Sequence, residues 1–217
     1  MTASDARWTA ETVRLYRRYE EEIVRMYGLC PWSGPVRRDG RMTECVLVQH
    51  DTSIDLSLRA IDELGQHIDV AVLIYPRLKL RRADFDLFAA QVRDAEVSRR
   101  PLGGAPFVFA VFHPEAPPQI GEPERLIPFL RRTPDATLQL LRSSVLDQAR
   151  GTTSQGTQFV DLASIGTLHP QPISLRERVA RTNLETTLRV GVDRVAQGLD
   201  DILRDREATH RVLEAAE

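Results

Sequence analysis

The chain reads as an α/β protein, a layered sheet of about four mostly parallel strands flanked by helices, with a long C-terminal helix. Three observations predict this. Val70–Tyr75 and Phe107–Phe112 are unbroken apolar runs of the kind that strands covered on both faces require. The segments around them place apolar residues three and four apart, which is the helical period. Residues 174–213 carry one sustained helical pattern.

The elements follow in order. Residues 5–27 predict a helix, with Val13, Tyr16, Tyr19, Ile23 and Tyr27 on one face. Gly28 stands where a left-handed cap residue belongs, Leu29 can close over the last turn, and Pro31 then holds Cys30 extended in a turn. A strand is expected at 45–48, a helix at 53–66, the strand Val70–Tyr75, a helix at 84–97 built on Phe85, Phe88, Ala89 and Val92, and the strand Phe107–Phe112. Five prolines, at 114, 117, 118, 123 and 128, mark 114–128 as a loop, and 134–145 reads as a short helix. Residues 158–162 suggest a further strand. Ser174 with Glu177 three residues on has the spacing of a capping box and opens the last helix. Along that helix Leu188, Val192, Val195, Leu199 and Ile202 alternate four and three apart, a stripe that calls for a partner. That partner is either the domain itself or a second subunit, in a homodimer through the C-terminal helix. We therefore divide the chain into an α/β domain at 1–172 and a helical extension at 173–217.

Composition narrows the function. A formal net charge of −2 gives no electrostatic case for nucleic acid, which calls for a basic face. No apolar run reaches the roughly 18 residues of a membrane span, and residues 1–10 lack the apolar core of a signal peptide, so a cytoplasmic location is expected. Cys30 and Cys45 sit in unlike contexts, which speaks against a disulfide framework. Lys79 is the only lysine, so a Schiff-base mechanism has one candidate, and no phosphate-loop glycine pattern surrounds it.

Chemistry-bearing residues gather in two segments, the Cys30 turn and the block from Phe112 to Arg142. His113 directly follows the third strand, where α/β sheets collect ligands; it can act as general base or acid, with Glu115 orienting it. Cys30 is a nucleophile if His113 lies beside it, or a wall of the site otherwise. Arg132 borders the helix expected at 134–145, so its guanidinium and that helix's N-terminal amides would hold an anion together, with Arg131 and Arg142 adding charge. No metal motif has convincing spacing, although Cys30 and His113 could ligate a metal or haem if a third group converged on them.

At these segments the chain resembles a bacterial family called the domain of unknown function 1415 (DUF1415). That family's asparagine-leucine-cysteine-proline-phenylalanine turn reads here Gly28-Leu29-Cys30-Pro31-Trp32, and its phenylalanine-histidine-proline-aspartate strand end reads Phe112-His113-Pro114-Glu115. Its asparagine-arginine-serine-proline stretch reads Arg131-Arg132-Thr133-Pro134, and its histidine-leucine-leucine-arginine-glutamate helix reads Gln139-Leu140-Leu141-Arg142-Ser143. The resemblance covers roughly residues 8–190 and implies no known activity. Gln139, Arg131 and Ser143 replace a family histidine, asparagine and glutamate, so the site that the resemblance carries over is Cys30, His113, Arg132 and Arg142. The expected function is a small-molecule enzyme or ligand-binding protein with an anion site near the end of the third strand. The competing classes are a metal or haem protein and a non-catalytic oligomeric scaffold.

Overall fold

The computed structural model describes residues 2–30, 33–100, 106–116, 119, 121–150 and 175–217. Helix α1 (Ala3–Tyr19) opens on a capping box: Thr2 Oγ1 accepts from the Asp5 N–H while the Asp5 carboxylate accepts from the Thr2 N–H. The helix expected at 5–27 changes pitch part-way, with Glu20–Arg25 forming a wider π-helical segment. It ends as its sequence predicts. Gly28 adopts φ +61°, the Leu29 N–H donates to the Val24 carbonyl at 2.8 Å, and the Leu29 side chain is buried over the last turn. Glu20, the first π-helical residue, is buried against Arg37 of α2 (Ser33–Arg38), and Arg37 also pairs with Glu44 at 2.8 Å, tying the first helix to the first strand.

The sheet has the order β1-β2-β4-β3, from β1 (Met42–Val46), β2 (Val70–Tyr75), β3 (Phe107–Phe112) and β4 (Ala136–Arg142). β1 and β2 are parallel, and β4 runs antiparallel to both β2 and β3, so three strands share a direction and the fourth is inserted against them. That inserted strand corrects the helix expected at 134–145, which is strand from Ala136 to Arg142 and then helix α6 (Ser143–Arg150). The physical reason is positional. β2 and β3 each present an edge of unpaired backbone groups, and a segment that satisfies both edges outweighs the helical preference of its leucines and glutamine.

The alternation of each strand divides the core. Ala71, Leu73 and Tyr75 of β2 and Ala136, Leu138 and Leu140 of β4 pack with Phe85, Phe88, Ala89 and Val92 of α4 (Arg82–Ser98) and with Ile61 of α3 (Asp55–Asp62). Val72 and Ile74 face the other way, onto Tyr16, Tyr19, Ile23, Leu126, Phe129 and helix α8 (Val192–Ala215). Covered on both faces and both edges, β2 is buried at every residue, as its unbroken apolar run requires.

Two further expectations change. Residues 114–128 are not loop throughout, because α5 (Pro123–Leu130) starts inside them. Pro123 occupies the first helical turn, where no N–H donor is needed, and Leu126, Phe129 and Leu130 anchor the helix in the core. The single helix expected from 174 is two, α7 (Leu175–Val190) and α8, broken at Gly191, whose φ of +97° is closed to other residues without strain. Val195, Leu199 and Ile202 of the predicted stripe pack into this chain's own core, while Leu188 stays exposed. A Cβ at Gly198 would stand 3.1 Å from Ile23 Cδ1, so this glycine lets α8 lie close on the π-helical segment. Asp205 then binds Arg14 at 2.9 Å and Arg18 at 2.8 Å on α1. The strand suggested at 158–162 lies outside the described residues. Among the described residues no helix is long and apolar enough to cross a membrane.

Candidate functional site

The C-terminal ends of β1, β2 and β3 and the start of β4 meet at one edge of the sheet, and α8 lies along it. His113 is the keystone of this edge. Its ring is buried, 5.8 Å from the Phe85 ring centre, and both its nitrogens are engaged by main chain: Nε2 lies 3.1 Å from the Leu80 carbonyl, and Nδ1 is 3.1 Å from the Glu115 N–H. A carbonyl can only accept and an N–H can only donate, so Nε2 carries the proton and Nδ1 does not. Burial pushes the imidazole below its ordinary pKa of 6.5, outweighing the Leu80 hydrogen bond that acts the other way. Neither nitrogen offers a lone pair to a metal or a substrate without breaking one of these bonds. His113 thus joins the loop after β2 to the loop after β3.

Glu115 does not orient the ring through its carboxylate. Its backbone N–H does that, and its Oε2 accepts from the Arg82 N–H at 3.3 Å, at the start of α4. Arg132 reaches the same loop: Nε donates to the Pro114 carbonyl at 3.0 Å, and a terminal nitrogen pairs with Asp200 of α8 at 2.8 Å. The residue stands before a strand, so no helix N-terminus assists it. That corrects the anion grip expected from a helix at 134–145.

Cys30 and Arg131 flank the buried Tyr19 hydroxyl, which donates to the Leu130 carbonyl at 2.7 Å. Burial raises the pKa of that phenol, the Arg131 charge lowers it and Cys30 raises it. The Arg131 guanidinium lies 4.9 Å over the Phe112 ring, and its carbonyl accepts from the His113 N–H at 3.1 Å. Both sequence segments therefore approach the turn between α5 and β4.

Arg142 and Gln139 do not join them. Gln139 is mid-strand, opposite Val72 and Ala110. Arg142 closes the far end of β4, about 20 Å of strand away from its start. There its guanidinium donates to the carbonyls of Ile68 at 2.7 Å and Gly65 at 3.0 Å and lies 4.7 Å over Phe107. It fastens the turn before β2.

The structure adds three residues. Asp135, with its side chain only 1% exposed, receives Arg206 Nε at 2.9 Å and faces His210 Nε2 at 3.4 Å, all on Oδ1; Oδ2 is buried without a hydrogen bond among the described residues. Its carbonyl accepts the hydroxyls of Thr133 at 2.7 Å and Thr137 at 2.8 Å. His210 is buried edge-on to Trp8 at 4.8 Å. A sequence signal was present, because the four-and-three alternation of Val195, Leu199 and Ile202 continues to Arg206, and His210 lies four residues further on the same helix face.

A cleft of about 520 Å³ opens beside this cluster, lined by Pro114, Glu115, Arg132, Leu203, Arg206 and Glu207. Two arginines line it, one carried by the turn before β4 and one by α8. Among the described residues the Arg206 guanidinium is hydrogen-bonded through Nε alone, which leaves its two terminal nitrogens with donor capacity. Among the described residues no group of three or more histidine, cysteine or acidic side chains is arranged to hold a metal ion. Comparison with family models, with curated proteins and with solved structures yields no match.

Proposed function

We propose that this protein binds a small anionic molecule in the cleft between Arg132 and Arg206. The observation that carries the reading is the pairing of those guanidinium groups across one cleft at the end of β3. Each is fixed from behind, Arg132 by the Pro114 carbonyl and Asp200, Arg206 by buried Asp135, so little side-chain freedom is lost when a ligand arrives. The volume falls in the range of small-molecule sites. Glu115 and Glu207 in the same lining select against bulky polyanions and favour a ligand with one anionic head and neutral or donor groups around it.

Binding rather than turnover is the reading that the geometry favours, because both ring nitrogens of the histidine best placed for proton transfer are taken up by main-chain groups. The residues that carry the resemblance to the domain of unknown function 1415 include Cys30, His113 and Arg132, which fall on the same edge.

The test is calorimetric titration of the wild-type chain with inorganic phosphate and with a set of small monocarboxylates and phosphate monoesters. Arg132→Gln should weaken the best of them by about tenfold or more, the worth of one charge-assisted hydrogen bond, while the circular dichroism spectrum stays unchanged. Equal affinity in the variant would remove the cleft from consideration.

A further inference from the structure

A second, smaller cleft, of about 270 Å³, lies at the same edge of the sheet between the loop after β1 and the loop after β2. His50, Thr52, Arg77, Leu78, Lys79 and Glu214 line it. Among the described strands β1 and β2 are the one parallel pair of neighbours, and the crevice beyond the C-terminal ends of parallel strands is where such sheets present loops to ligands. The framework residues supply two cations from one loop, Arg77 and Lys79, and an imidazole from the other, His50. The carboxylates that meet Arg77 and Lys79 come from the end of α8. Glu214 stands 3.0 Å from Lys79 Nζ, and Glu217 pairs with Arg77.

Glu217 is held as a bound ligand would be. Both terminal nitrogens of Arg77 donate to its carboxylate, one of them at 2.7 Å, and Trp8 Nε1 and Ser4 Oγ each donate at 3.0 Å. The Arg77 guanidinium lies 4.9 Å over the Trp8 ring, which fixes its plane for a two-pronged grip. These contacts, the Arg77 hydrogen bond first among them, hold the Glu217 carboxyl down to about 2. Two separate segments, the start of α1 and the loop after β2, thus converge on one carboxylate carried just past the last turn of α8, and the end of a helix is the part that opens most readily.

We propose that this cleft is a binding site for a small dicarboxylate, whose two carboxylates replace those of Glu217 on Arg77 and Glu214 on Lys79. The last turn of α8 is then a built-in competitor. A dicarboxylate fits better than a single phosphate because the two cationic positions are distinct and the arginine is already set for a planar carboxylate. None of these residues lines the Arg132 cleft, so the two readings stand or fall separately.

The experiment uses succinate and the full-length chain. A tethered carboxylate acts at an effective concentration on the order of millimolar, so Glu214→Gln/Glu217→Gln should bind succinate about tenfold or more tightly than wild type by calorimetry. Adding Arg77→Gln to that variant should abolish the gain, and Arg132→Gln should leave it intact. In the unaltered protein the Trp8 indole N–H resonance should shift, as Glu217 is displaced, at succinate concentrations of up to about 50 mM. A Trp8 resonance that stays fixed over that range overturns the proposal whether or not the variants fold, and so does succinate binding that survives the loss of Arg77.

Discussion

Replacing either member of the Asp135–Arg206 pair tests whether α8 is clamped to the sheet by a buried charge, and the two replacements should differ. Asp135 is 1% exposed at its side chain and Arg206 is 29% exposed. In Arg206→Met the carboxylate stays buried with only His210 beside it, and breaking a buried pair in this sense costs about 3–5 kcal/mol. In Asp135→Asn the guanidinium can turn to water, so the loss is nearer that of a hydrogen bond to a charged group, about 1.5–3 kcal/mol. For a chain of this size those figures correspond to falls in melting temperature of about 6–20 °C and about 3–12 °C respectively. The double variant should be little worse than Asp135→Asn alone, because the buried charge that Arg206 neutralised has gone, giving a coupling energy that approaches the whole cost of Arg206→Met, about 3–5 kcal/mol. The main-chain carbonyl of Asp135 keeps its two threonine hydroxyls in every variant, so the start of β4 stays anchored and the difference reports the carboxylate. Urea unfolding of the four proteins measures all of this. If Arg206→Met costs no more than Asp135→Asn, or if the two losses simply add, the clamp is not electrostatic.

Two further outcomes follow from the same geometry. His113 is held neutral in the folded chain, with a pKa below 6.5, whereas the unfolded chain takes up the proton near that value. Its contribution to stability is therefore fully present above about 6.5 and lost as pH falls through the folded-state value, at up to about 1.4 kcal/mol per pH unit. His113→Gln should flatten the pH dependence of unfolding free energy on the acid side of neutrality, and identical slopes for the two proteins would contradict the neutral tautomer. Arg142→Ala should destabilise the chain by about 1.5–3 kcal/mol through the lost Gly65 and Ile68 hydrogen bonds, yet leave anion binding unchanged. A weakened affinity in that variant would mean that the two ends of β4 are not independent.

Much of the fold was legible in local pattern. The unbroken runs of β2 and β3 announced two-sided cover, and the glycine after Tyr27 announced a left-handed cap that forms with the expected hydrogen bond. Misreading concentrated on residues 123–142. The number of prolines there conceals position: Pro123 in a first helical turn favours α5, and Pro128 is carried inside the same helix, where Leu126, Phe129 and Leu130 anchor it in the core. In the following Thr137-Leu138-Gln139-Leu140-Leu141 the polar and apolar residues alternate only briefly, against the helical preference of leucine and glutamine. Its structure is decided by two edges that lie about 30 and about 65 residues earlier in the chain, a tertiary fact that local pattern does not carry.

The site was harder to read for a related reason: an arginine's role is set by its partner, and partners are distant in sequence. Arg132 and Arg142 look equivalent in a motif, yet one faces a cleft beside α8 and the other fastens a turn at the far end of the same strand. His113 drew attention as a titratable group at a strand end, and the strand-end rule located the right edge of the sheet. The residue itself serves that edge as a main-chain brace between two loops. What makes the edge able to hold an anion is the arrival of α8, which brings Arg206 to one cleft and carboxylates to the other. The four-and-three spacing of its buried stripe continues from Ile202 to Arg206, and His210 lies one helical turn beyond it. A polar residue that falls in register with a buried stripe is a stronger indication of a site than a reactive residue type beside a proline, because burial obliges it to find a partner.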